Sequence, residues 1–150
     1  MLAALAVGLH SPAIASESAQ EALRAMGFDG TWSQDCATRA VFIRYSIPSD
    51  GTATVESATP NASVIYRITS AELAAGRIHI VAVATGVELR NNQRSTGVSV
   101  GTSIDVVWEA LPDGHVHLYH SLVNDAAVVE NGHFVKTSAP TPLFEKCPGT

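Results

Sequence analysis

From Thr38 onward, apolar residues recur at every second position in short runs, and a turn signal closes each run. Period two is the spacing of a strand that buries one face and wets the other, and it is incompatible with a helical stripe. Val41, Ile43, Tyr45 and Ile47 alternate with Phe42, Arg44 and Ser46 before the hairpin pair Asp50-Gly51. Similar alternation runs through Thr52–Ser57, Val64–Thr69, Ile78–Ala84 and Ile104–Glu109. Pro112-Asp113-Gly114 is a turn in which proline presets φ and glycine accepts a positive one. Val116, Leu118 and Leu122 follow, then Ala126–Glu130, Asn131-Gly132, His133–Thr137 and a short Leu143–Lys146 tail. About eight strands with no helical pattern between them make an antiparallel sheet. The expectation is an all-β, up-and-down barrel, because closure removes the exposed edges that β-branched strands would otherwise offer to aggregation.

Ahead of the strands lies one amphipathic helix, Ser16–Met26. Ser18 and Glu21 have capping-box spacing, Ala19, Ala22, Leu23 and Met26 share a face, and Gly27 supplies the stop. Farther upstream, Met1–Leu9 is apolar and Ala13-Ile14-Ala15 matches a small-x-small cleavage site. Residues 1–15 therefore read as a signal peptide and 16–150 as a single domain, with a periplasmic or secreted destination. That apolar run is too short to span a bilayer, and no later segment reaches spanning length.

The chain has 150 residues, 46% hydrophobic and only 15% charged, with a formal net charge of −5. Such a balance supports a packed core and argues against disorder. A nucleic-acid partner would want a basic face, which a chain with scattered arginines and two lysines does not offer. The two cysteines, Cys36 and Cys147, stand before the first long strand pattern and near the chain end. In an exported chain they read as a disulfide, the alternative being two separately buried thiols.

Gly30-Thr31-Trp32, placed after the helix and before the first long strand, resembles the Gly-x-Trp signature of lipocalin-like barrels. That resemblance implies an eight-stranded barrel whose tryptophan packs across the closed end and whose interior can hold a small apolar ligand. The opening is also similar to that of small periplasmic inhibitors of proteases and lysozymes, which implies a protein partner met by loops or the N-terminus. With Glu145-Lys146-Cys147 at the other end, the chain further resembles secreted bacterial proteins of unknown function.

By alternation the inner face carries Tyr45, Tyr66, Trp108 and His120, the polar-tipped side chains expected to line a ligand cavity. Ala82 and Ala84 lie on the same face, where small side chains either offset bulk opposite or leave space. The competing expectation is a filled core, since small barrels are just wide enough for their own side chains. His115 and His117 share a strand face, and His133 lies on the next hairpin but one; a metal site needs a third ligand, which His79 or Asp113 could supply only if the strands pair suitably. His115 and His117 read first as a solvent-facing pair beside a turn, and neither metal nor cofactor is expected. No Gly-x-Ser-x-Gly elbow or other nucleophile motif occurs, and Asp105 and Glu109 lack the cleft a glycosidase pair needs. Asn91–Ser95, flanked by Arg90, forms the most hydrophilic loop, a place where rigid β scaffolds carry recognition. The expected function is a non-enzymatic binding module for a small apolar ligand, or alternatively a protein inhibitor.

Overall fold

A computed structural model describes residues 13–149, with side chains from Ser18 onward. Helix α1 (Ala13–Ala25) precedes ten strands. They are β1 (Gly30–Ser33), β2 (Phe42–Ser46), β3 (Thr54–Thr59), β4 (Ala62–Ala74), β5 (Arg77–Leu89), β6 (Ser103–Ala110), β7 (Val116–Val123), β8 (Ala126–Glu130), β9 (His133–Phe134) and β10 (Leu143–Lys146). All pairings between them are antiparallel. The first seven follow one another as a meander, and β10 pairs with both β7 and β1. Eight strands thus close a barrel, in agreement with the expected fold class. Its membership differs from the sequence expectation: β8 and β9 lie outside the ring, while the short segments β1 and β10 complete it.

The wall divides along β7. The second half of β7 pairs with β8, and its first two residues pair with β10. Between these halves the carbonyls of Leu118 and Tyr119 would lack ladder partners. Thr141 Oγ1 donates to Leu118 at 2.8 Å, and the Gly132 amide donates to Tyr119 at 2.8 Å. The β9–β10 segment therefore serves as a patch in the barrel wall. Gly132 has a φ of +76° in the Asn131-Gly132 turn, and a Cβ there would come within 3.0 Å of the His117 ring. Glycine meets both constraints at once.

Helix α1 begins at Ala13, so Ser18 lies inside it and not at its cap. Its C-terminus follows the expected stop. Gly27, with φ +72°, donates to Arg24, and Phe28 donates to Leu23, each at 2.9 Å, which is a Schellman motif. Leu23 and Phe28, at 0% and 1% exposure, make the apolar contact that accompanies the motif. Gln20 and Arg24 bond backbone carbonyls of Gly51, Ile47 and Pro48, which pins the helix at the barrel end formed by the β2–β3 turn. Of the expected signal peptide, residues 1–15, residues 1–12 lie outside the described residues and 13–15 form the start of α1.

Phe28 enters the barrel from that end. Its ring lies 4.8 Å from Tyr45, 5.4 Å from Trp32 and 6.4 Å from Trp108, and Trp108 meets Phe144 edge-on at 5.6 Å. Offset and edge contacts of this kind add to simple burial. Cys36 and Cys147 are joined across a sequence separation of 111, tying the loop after β1 to the end of β10. A disulfide of this kind fits an oxidising, extracytoplasmic environment.

Candidate functional site

The aromatic plug fills only the helix end. Beyond it the barrel holds a half-open cavity of about 270 Å³. Every ring strand except β1 contributes wall: Ile43 and Tyr45 from β2, Val55 and Ser57 from β3, Tyr66 from β4 and Ile80 from β5. Ile104, Val106 and Trp108 come from β6, Leu118, Ser121 and Val123 from β7, and Phe144 from β10. Phe134, Thr141 and Pro142 close the side where the wall is patched. Ala82 and Ala84 are fully buried yet do not line the space. Ala84 stands beside Tyr66 in register, and Ala82 beside Ile68, so the small side chains offset neighbouring bulk.

Tyr45, Tyr66 and Trp108, three of the residues expected to line a cavity, meet on this wall. His120 does not. Trp108 pairs with Leu118 but Val107 with His120, leaving Tyr119 as an extra residue in β7. That bulge reverses the alternation, because one inserted residue exchanges inner and outer faces. Ser121, directly opposite the inward Val106, takes the inner position, while His120 and Leu122 turn outward with Val107 and Asp105. Simple period-two counting across Tyr119 had missed Ser121 for this reason. Thr141 and Pro142 carried no signal at all, since they sit in no strand and reach the wall only through distant pairing.

The cavity's hydroxyls differ in what they can offer a ligand. Burial pushes the Tyr45 phenol well above its ordinary range, partly offset by a side-chain hydrogen bond with Trp108. Thr141 is committed to the carbonyls of Leu118 and Gly132. Tyr66 and Ser121, at 7% and 6% exposure, have no hydrogen-bond partner among the described residues. Burial likewise raises the Tyr66 phenol. Both hydroxyls belong to residues of the cavity wall and are open to bond a guest there.

Among the described residues, the histidines are dispersed around the outside. His79 contacts Asp105 at 2.7 Å, His115 contacts Asp113 at 3.1 Å, and His117 contacts Glu109 at 2.8 Å. No cluster of three or more His, Cys, Asp or Glu side chains is placed to hold a metal among the described residues. The His115 and His117 side chains thus face separate carboxylates and form no joint site.

Glu109 receives the His117 ring on one oxygen and two guanidinium bonds from Arg77, at 2.9 and 2.8 Å, on the other. The His117 hydrogen bond first, then Arg77, hold its carboxyl below the ordinary 4.5. A carboxyl depressed in the folded state binds fewer protons than its unfolded counterpart, so it stabilises the fold above 4.5 and loses that contribution as pH falls below. Solvent screening keeps the effect small. Urea midpoints measured between about pH 5 and pH 3 should therefore fall more steeply for the wild type than for Glu109→Gln. Equal slopes would show that the ladder is energetically silent.

Compared with known proteins, the chain matches no protein-family model, no curated protein and no solved structure. Its architecture defines its class: a small antiparallel barrel, closed by eight strands and tied by a disulfide, with an internal apolar chamber. That description fits small barrels generally and makes no assignment to the lipocalins.

Proposed function

We propose that this is an exported, non-enzymatic binding module, periplasmic or secreted, which holds a small apolar ligand inside the barrel. The cavity carries the proposal. An apolar cavity of roughly 150 Å³ accommodates benzene, so a chamber of about 270 Å³ takes a guest of nearly twice that bulk. It is mostly apolar with a few placed hydroxyls, the usual composition of a small-molecule site.

Titration with 2-naphthol, followed by tryptophan emission and by calorimetry, tests the reading. The wild type should bind one equivalent saturably. Ser121→Leu should weaken binding at least ten-fold by occupying the space. The same variant should be more stable by about 1 kcal/mol, because it buries methylenes in the cavity. Absence of saturable binding, or equal binding by the filled variant, would defeat the proposal.

Val100 supports a second reading, a protein inhibitor acting through loops. This apolar side chain is 67% exposed on the hydrophilic β5–β6 loop. Co-elution with lysozyme or a serine protease, lost in Val100→Asp and retained in Ser121→Leu, would favour that reading over the first.

A further inference from the structure

The cavity has a polar annex at the barrel mouth, opposite the helix. There the β5–β6 loop folds over the β3–β4 turn: the Arg90 amide donates to Asn61 at 2.7 Å, and Asn91 Nδ2 donates to Pro60 at 2.9 Å. Beneath this fold lies a recess of about 310 Å³ whose polar wall is Ser57, Thr59, Asn61, Gln93 and Thr96. Ser57 and Tyr66 belong to both the recess and the inner cavity, so the two spaces adjoin. The apolar one lies inside the barrel and the hydroxyl- and amide-lined one at its mouth.

Neither wall contains a charged side chain. Arg90, at the base of the loop, is already held by Glu88 at 3.0 Å. An anionic head placed here would lose hydration without gaining a cation, in a chain whose net charge is −5. A cationic head would find no carboxylate in the wall. Uncharged hydroxyls or amides, by contrast, can bond the polar side chains of the recess, which stand beside the apolar Ala62, Val64 and Val98. Gln93 spends its amide N–H on the Ser95 carbonyl and keeps its side-chain oxygen for a donor. At the junction stands Tyr66, whose hydroxyl has no hydrogen-bond partner among the described residues. A pure hydrocarbon would leave it unsatisfied.

We propose that cavity and recess form one site for a neutral amphiphile: a short apolar tail inside the barrel, and an uncharged hydroxyl- or amide-bearing head in the mouth recess. The Tyr66 hydroxyl bonds the first polar atom of the head. This inference rests on the barrel-cavity reading and specifies the ligand class for it.

Four probes with the same tail test it at neutral pH, each below its micelle threshold: octyl β-D-glucoside, 1-octanol, octanoate and octylammonium. Calorimetry on the intact protein should rank octyl glucoside first, at least ten-fold tighter than either charged probe and several-fold tighter than octanol. The double variant Asn61→Ala/Gln93→Ala should bring the glucoside down to the octanol level and leave octanol unchanged. Tyr66→Phe should weaken both neutral probes several-fold. Near-UV circular dichroism verifies that each variant keeps its aromatic packing, and a variant that loses it is replaced by the probe ranking on the wild type alone. Charged probes that bind as tightly as the glucoside, or a glucoside no better than octanol, would overturn the neutral-head assignment while 2-naphthol binding stood. Failure of every probe, 2-naphthol included, would remove the cavity reading as well.

Discussion

Replacing Cys36 and Cys147 together by alanine should lower the unfolding free energy by about 4–5 kcal/mol. The figure follows from chain entropy: the bridge spans a sequence separation of 111, and releasing a loop of that length returns a large conformational freedom to the unfolded chain. The native state has a stake as well. Cys147 is 2% exposed and donates its amide to Thr31 at 2.8 Å, so the bridge anchors the strand that closes the ring. β10 is four residues long, and with β1 it makes the most distant pairing in the barrel. Guanidinium unfolding with and without a thiol reductant measures the effect on the unmodified protein, and the double variant should match the reduced form. A loss below about 1 kcal/mol would mean that β10 stays docked through its hydrogen bonds and the Phe144 contact alone.

Phe28→Ala should cost about 3–5 kcal/mol, the range for deleting a fully buried aromatic ring. Phe28 is 1% exposed and touches Trp32, Tyr45 and Trp108, so its removal opens the plug from the centre. It is also the residue immediately after the Gly27 helix stop, bonded back to Leu23. Truncation therefore loosens α1 and the barrel floor together. Near-UV circular dichroism should lose most of its tryptophan signal before far-UV intensity falls. Ile65→Ala, at a side chain 44% exposed, provides the contrast and should change stability by less than about 0.5 kcal/mol. Similar costs for the two variants would refute the view that the plug holds the helix end.

These two sites differ in how far they could be foreseen. The disulfide was legible because only two cysteines exist and their positions bracket the strands. Phe28 carried no comparable signal: it stands in the short link between helix stop and β1, where neither periodicity applies. Of the cavity wall, Tyr45, Tyr66 and Trp108 could be assigned by counting every second residue. His120 could not, because the bulge at Tyr119 is a property of the β6–β7 pairing and leaves no mark in local composition. Ser121 entered the wall for the same reason. The histidines were legible as residues but not as neighbours, since cross-strand register decides which carboxylate each one meets.

What the sequence by itself determined is the class of the fold. Period-two burial and its turn pairs dictate antiparallel strands, and the cysteine pair dictates which ends are tied. Tertiary structure alone decided which segments form the ring. β8 and β9 follow β7 directly in the chain, yet β1 and β10 close the barrel, because closure depends on pairing between residues more than a hundred positions apart. The chamber is likewise a product of that closure. Its last side is formed by Thr141 and Pro142, which belong to no strand and reach the wall only where β7 changes partners. Local periodicity constrains the faces of strands; it cannot say which strands meet, and the empty space lies where they do.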